Sequence, residues 1–335
     1  MRSLRLLLPT LLTALAVAGC SSSVDEASGP SGPKTATPAA SAEGTTLRVG
    51  VQKDGIRSIL EASGALEGLP YKIDWSIFQF GPPLVEAAGA DKIDVAGVGS
   101  TPPLFGAAAP SSKFRVVAQI QYLSKQDDTL LAGKGSGIED AQDLKGKKVA
   151  IPKGSSAHGL FLNYLDRNKI EESDVDIQYL APADGLAAFS TGKVDAWAVW
   201  QPFVTQAETE GGKAIAGGAP DEDGFSFEIA STKAVQDGKR AAAIKDYMER
   251  LSVAFKWART HQDEWAAAWS KESGLPIETT KKAVRERTQQ IGPVTDEARA
   301  SEQKLADTLF EHEVIPKKVT FDDIVTTGLA PGEAN

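Results

Sequence analysis

From Thr46 onward, short apolar runs with the period of strands alternate with longer runs of helical period. This is the pattern of an α/β protein with mostly parallel sheets. Leu47–Val51 predicts a strand, followed by a helix near Arg57–Leu66. Tyr71–Phe78 alternates as a second strand ahead of a helix near Pro82–Gly89, and Asp94–Gly97 and Phe114–Tyr122 predict two further strands. A second set then begins, with strands at Leu130–Ala132, Lys148–Ile151, Asp176–Leu180 and Ala196–Val199. Helices near Ser156–Asn168, Pro182–Ser190 and Gln201–Glu210 follow the last three of them; in the first helix, Leu160, Phe161, Tyr164 and Leu165 make one apolar face. From about Ala241 the pattern is purely helical. Ile244, Met248, Leu251, Phe255 and Ala258 predict one long helix to about Ser270, with further helices at Ile277–Gln290 and Thr295–Glu311. Trp257, Trp265 and Trp269 fall here and read as core. Two α/β lobes result: residues 46–126 completed by 227–335, with 127–226 inserted between them.

The first 45 residues break this rhythm. Arg2 and Arg5 precede an apolar stretch, Leu6–Ala18, interrupted by Pro9 and two threonines. It is too short and too interrupted for a membrane span, and reads as a secretory signal over 1–19. The stretch ends in Val17-Ala18-Gly19-Cys20, which resembles the bacterial lipobox and makes Cys20 the expected lipidation site. Residues 20–45 are dominated by Ser, Pro, Gly, Ala and Thr, a composition unable to bury enough apolar surface to order itself, so they read as a flexible tether. Cys20 is the only cysteine, so the fold is held by its core and not by an internal disulfide.

The chain has 335 residues and a formal charge of −9, which becomes −11 without residues 1–19. An acidic surface argues against nucleic acid as a partner. It leaves room for an anionic small molecule, because a local site can oppose the global field. The histidines (His158, His261, His312) are far apart, and neither a metal cluster nor a P-loop nor a dinucleotide fingerprint is present, so no cofactor is expected.

In open α/β sheets, ligands lie beyond the carboxyl ends of the strands. After Ile151 comes Pro152-Lys153-Gly154-Ser155-Ser156-Ala157-His158, a glycine turn leading hydroxyl groups into a helix start. Free N–H groups and the positive end of the helix dipole favour an anion there, and the serine hydroxyls can donate to it. Ser155 or Ser156 is also expected to cap the helix. Ser155 and His158 stand three apart, but no orienting carboxylate accompanies them, so His158 reads as a donor in the pocket wall or behind it, and no enzyme is expected. Gly99-Ser100-Thr101-Pro102-Pro103 repeats the glycine-then-hydroxyl pattern from the opposite lobe. Trp197 and Trp200 offer apolar faces for a ligand tail, next to Gln201. Gln52 after the first strand, Phe80 ahead of the second helix and Asp184 near another helix start complete the candidates.

These stretches resemble the aliphatic sulfonate-binding proteins of ABC importers, relatives of the taurine- and nitrate-binding families. The resemblance runs through LRVGVQK from Leu47, KGSSAH from Lys153, Tyr179–Asp184, Ala187–Phe189, GKVDAWAVW from Gly192, and Ile315–Val319. It implies a two-lobed type II periplasmic-binding-protein fold with the ligand cleft between lobes. It also implies a sulfonate held by Ser155, Ser156 and Ser100–Thr101, an ABC permease as partner, and a monomer anchored on the outer face of the cytoplasmic membrane. The sulfonate pattern carries carboxylates where this chain has Ser100 and Gln201, so a neutral alkyl or aryl tail is expected in preference to a taurine-like ammonium. Nitrate, a thiamin precursor or an aromatic acid are the other ligands such a receptor would take, and a sensing lipoprotein is the other role.

Overall fold

The computed structural model describes residues 41–110, 113–124 and 127–333. The segment 1–19 read as a secretory signal, Cys20, and most of the stretch read as a tether lie outside the described residues. The folded part begins a little earlier than the composition suggests. Ala42 is buried against the first core, Gly44 N–H donates to Pro70 O at 3.2 Å, and Lys72 N–H donates to Thr45 O at 3.0 Å.

The first stretch runs β1 (Thr46–Val51), α1 (Ile56–Ala62), β2 (Lys72–Ile77), α2 (Gly81–Gly89), β3 (Val95–Gly99), α3 (Thr101–Ala108) and β4 (Phe114–Tyr122). The inserted stretch runs β5 (Asp128–Ala132), β6 (Lys148–Ile151), α4 (Ser156–Arg167), β7 (Asp176–Tyr179), α5 (Pro182–Ser190), β8 (Ala196–Trp200), α6 (Phe203–Thr209) and β9 (Lys213–Ala216). The chain then returns through β10 (Phe225–Ser231), α7 (Thr232–Gln236), α8 (Gly238–Ala258), α9 (Gln262–Ser273), α10 (Ile277–Glu286), β11 (Gln289–Gly292) and α11 (Asp296–Glu311).

These strands form two separate sheets. The first has the order β11-β4-β10-β3-β1-β2, and the second the order β7-β6-β8-β5-β9. β1 is parallel to β2 and β3, whereas β10 runs antiparallel between β3 and β4. The second sheet repeats the plan: β6 is parallel to β7 and β8, and β5 runs antiparallel between β8 and β9. Each sheet is therefore a parallel βαβ unit with an antiparallel strand returned beside it, and the chain changes sheet twice, between β4 and β5 and between β9 and β10. Apolar cores cover both faces of the first sheet, and a third core serves the second. Leu162 of α4 joins the core that also holds Leu305 and Leu309 of α11, so α4 is packed against the core of the first sheet.

Three expectations need correction. The helix expected over 241–270 is two helices, because Thr260 Oγ1 and His261 Nδ1 both bond the Trp257 carbonyl and end α8 locally. Its apolar steps cross the break without interruption, which hides it. The helix expected over 277–290 stops at Glu286, and Gln289–Gly292 pairs with β4 as an edge strand. β9 and β10 were not expected at all. β10, FSFEIAS, is buried along its whole length in the middle of the sheet, so it lacks the alternation that marks a half-exposed strand.

Candidate functional site

Two connected cavities lie at the carboxyl ends of the parallel strands. The inner one has a volume of about 40 Å³ and is lined by Gln52, Asp54, Ser155, Ser156, Glu228 and Arg287, among others. The outer one is wider, about 370 Å³, and includes Ile77, Phe78, Pro202, Phe203 and Leu275. Gln52, Asp54 and Trp200 line both. A water-sized sphere needs roughly 10–15 Å³, so the inner chamber suits a compact polar head, and the outer one has room for an apolar tail.

The wall of the inner chamber is the start of α4. Gly154 turns the chain in the left-handed region (φ +75°), and a side chain there would meet the Phe105 ring at 3.2 Å. Its N–H donates to His158 Nδ1 at 3.2 Å. His158 is fully buried between Phe105 and Tyr179, and burial pushes its pKa down to about 4, so it is a neutral imidazole that braces the turn. Ser155 occupies the position before the helix, yet its hydroxyl does not cap it. Its Oγ is buried, without a hydrogen-bond partner, and lines the chamber. Ser156 spends its hydroxyl on Asp128, donating to Oδ1 at 3.0 Å. The expected capping bond is therefore absent, which leaves a helix N-terminus of free N–H groups and one free hydroxyl facing the cavity. The Ser155 hydroxyl and the His158 imidazole make no hydrogen bond to each other, so no nucleophile–base pair forms here.

Gly99 brings the first lobe against this wall. A Cβ at Gly99 would lie 2.6 Å from Ser156 Oγ, so only glycine fits the approach. Thr101 is fully buried beside Gly159 and does not line the chamber, and Ser100 faces a separate small pocket with Asn163 and Glu222. The second hydroxyl cradle is therefore a contact between α3 and α4, not an open anion site.

The loop after β1 is held from behind. Trp265 and Trp269 of α9 stack at 6.0 Å and donate from their ring N–H groups to Gly55 O and Lys53 O, both at 3.1 Å. This fixes Gln52 and Asp54 at the junction of the two cavities. Gln52 Oε1 is buried with no partner.

The chamber floor comes from strands in the middle and at the edge of the first sheet. Glu228 of β10, Gln289 of β11 and Arg287 are almost wholly buried and line the chamber with Tyr122 and Asp127. Arg287 reaches Asp54 at 3.7 Å and Asp127 at 4.0 Å, and its guanidinium lies 5.4 Å from the centre of the Tyr122 ring. These are loose ion pairs for a buried guanidinium, and its Nε has no partner. Burial pushes the Glu228 carboxyl up to about 8, and raises Asp54 and Asp127 as well, against the opposing pull of Arg287 on those two. None of these floor residues was singled out from the sequence. The signal for them is tertiary: an unrecognised strand, an edge strand read as helix, and a residue just past a helix end.

Several expected site residues lie elsewhere. Trp197 is fully buried between Phe189 and Phe203, in the core around the second sheet and not on the chamber. Asp184 is exposed on an outer groove beside Lys148 and Thr191. Phe80 packs against the core of the second lobe. Gln201 is buried, with Oε1 accepting from Thr205 N–H and Oγ1 and Nε2 donating to Glu286. Since neither Ser100 nor Gln201 lines the cleft, their lack of charge does not make it poor in carboxyl groups: Asp54, Asp127 and Glu228 supply them.

Residues 83–263 match the family described as NMT1/THI5 like. The chain is 34% identical over 286 residues to an Escherichia coli K12 protein named for aliphatic sulfonate binding, covering 84% of this chain and 88% of that one. It superposes on the alkanesulfonate-binding protein SsuA from Xanthomonas axonopodis pv. citri bound to MOPS, with a TM-score of 0.79 and 28% identity over 85% of this chain and 99% of that chain. The periplasmic aliphatic sulphonate binding protein SsuA from Escherichia coli gives 0.75 and 31% identity, over 87% and 94%. By a sequence match that spans most of its length and a fold shared with these structures, the chain belongs to the NMT1/THI5-like family, among its aliphatic sulfonate-binding proteins.

Proposed function

We propose that this protein is the extracytoplasmic receptor of an ABC importer for an alkane- or arylsulfonate, working as a monomer tethered to the membrane through a lipid on Cys20. The observation that carries the reading is the start of α4, where Ser155 keeps a buried, unpartnered hydroxyl beside a helix N-terminus. A sulfonate stays ionised at physiological pH, and such neutral donors bind it without a full counter-charge. Arg287, loosely paired and facing the same chamber, supplies a cation to the head group. The apolar outer cavity, with Trp200 at its mouth, fits a neutral tail. In this reading residues 46–126 with 227–335 form one lobe and 127–226 the other, and the ligand is captured as they close. Asp54, which lines both chambers, favours a second reading in which the tail carries an ammonium.

Calorimetric titration with short and long alkanesulfonates, an arylsulfonate, taurine, sulfate and nitrate tests this. Tight binding of neutral-tailed sulfonates is expected. In the Ser155→Ala, Ser156→Ala double variant that affinity should fall by a few kcal/mol, since each bond to a charged group contributes about 1.5–3 kcal/mol. Unchanged affinity in the double variant would move the head-group site away from α4, and binding of taurine alone would select the second reading.

A further inference from the structure

The bond from Ser156 to Asp128 raises a question of proton supply. A hydroxyl has a single proton to donate. When Asp128 is ionised it takes that proton, and Ser156 turns only lone pairs toward the chamber, which repel an anion. When Asp128 is protonated the bond reverses: the carboxyl donates to Ser156 Oγ, and the serine proton is free for the head group.

The surroundings decide which form the fold supports. Asp128 is fully buried, and its Oδ2 has no hydrogen-bond partner. Asp127 adjoins it along the chain. From the second crossing, Glu222 Oε1 accepts the N–H groups of Asp127 (2.7 Å), Asp128 (3.0 Å) and Gly218 (3.2 Å); burial and the charge of Asp127 push this carboxyl up to about 8 against those bonds, so it shares the buried acidic cluster with Asp128. Among the described residues the cation facing this group is Arg287, whose ion pairs go to Asp54 and Asp127. Among these residues Asp128 has two acidic neighbours and makes no ion pair. Burial first, and then the charges of Asp127 and Glu222, hold its proton on well above the ordinary carboxylate range.

Building on the α4 site proposed above, we infer that Asp128 is a positioning residue for ligand capture: in its protonated form it turns the Ser156 hydroxyl toward the bound anion. Affinity is then independent of pH while Asp128 keeps its proton, and it falls by up to about tenfold per pH unit once that proton is lost. In that range each anion captured brings one proton with it.

The test is the affinity of the full-length protein, in mild detergent, for ethanesulfonate between pH 5 and 10. Each titration is run in two buffers of different ionisation heat, so that protons taken up are counted. The wild type should show a plateau, then a fall accompanied by uptake approaching one proton. Asp128→Asn, whose amide donates at every pH, should keep the plateau affinity within a few-fold and lose both the fall and the uptake. Ser156→Ala should bind more weakly on the plateau and also lose the fall, a check that holds even if the Asp128 variant folds poorly. A wild type flat to pH 10 with no proton uptake overturns the inference. So does a fall that survives in Asp128→Asn, because Asp127, Glu222 or Glu228 would then be the titrating group, or one that survives in Ser156→Ala alone, because the Asp128 charge would then act on the anion directly and not through the hydroxyl. Failure to bind ethanesulfonate or any other sulfonate at any pH would instead remove the functional reading on which the inference rests.

Discussion

The α4 wall and the sheet floor meet the same chamber with different chemistry. The wall offers neutral donors, helix N–H groups and serine hydroxyls, drawn from residues consecutive in sequence. The floor offers Arg287 among Asp54, Asp127 and Glu228, brought together from four separate stretches of chain. A helix end presents its partial charge whether or not an anion is bound, so under the function proposed above the wall would bind ligand at little cost to the fold. A buried guanidinium costs several kcal/mol of desolvation, recovered only through its partners. Under the proposed function, this difference would put ligand affinity mainly on the wall and tie the floor to folding as well as to binding.

Removing the floor's cation is the strongest way to break this comparison. Arg287→Met leaves Asp54 and Asp127 buried without a counter-ion, and breaking such a pair costs about 3–5 kcal/mol. Urea unfolding should show a stability loss of that size, together with weaker sulfonate binding. Ser155→Ala, which removes a hydroxyl with no partner in the fold, should lose binding with little change in stability. Equal effects of both variants on stability would erase the distinction between wall and floor.

Glu228→Gln sharpens it. The Glu228 carboxyl titrates near 8 in the folded protein, against an ordinary value of 4.5. An acid whose pKa is raised by folding keeps its proton longer in the native state, so its contribution to stability falls as pH rises from about 4.5 to about 8 and stays low above that. The amide removes this loss. The variant should match the wild type at pH 4–5 and exceed it increasingly toward pH 9, by a few kcal/mol at about 1.4 kcal/mol per pKa unit. Unfolding experiments at pH 5, 7 and 9 measure the difference between the two proteins. A difference that does not grow with pH would mean that Glu228 is already ionised at neutral pH.

The wall was legible in the sequence because its information is local. A strand, the Gly154 turn, two serines and a helical apolar face occupy one short window, and the sheet order adds little to their meaning. The same holds for the alternation of strands and helices that gives the α/β class. The floor could not be read this way. Glu228 sits in a strand buried on both faces, where strand periodicity vanishes, and Gln289 sits in an edge strand whose residues continue a helical pattern. Arg287 has no motif; only the return of the chain through α8–α10 sets it over Tyr122. Ser100 and Thr101 fall outside the chamber for a related reason. Their local pattern matches that of Ser155 and Ser156, but α4 lies against α3 and closes the site from that side.

The two tryptophans at the end of β8 test the tail chamber more finely. They stand three apart in a strand, and alternation therefore sends them to opposite faces. Trp197 goes into the core, with its ring between Phe189 and Phe203, while Trp200 reaches the junction of the two cavities. Trp197→Ala should therefore act on stability, by about 3–5 kcal/mol for an aromatic cavity, and leave the ratio of long-tailed to short-tailed sulfonate affinity unchanged. Trp200→Ala should change that ratio. Each methylene it covers contributes about 0.8 kcal/mol, so hexane- and octanesulfonate should lose more affinity than methane- or ethanesulfonate. Calorimetry across this series, with both variants, gives the slope of binding free energy against chain length. A shallower slope for Trp200→Ala alone places the tail in the outer cavity; the same slope for wild type and variant would put the tail elsewhere and leave Trp200 as part of the chamber's rim.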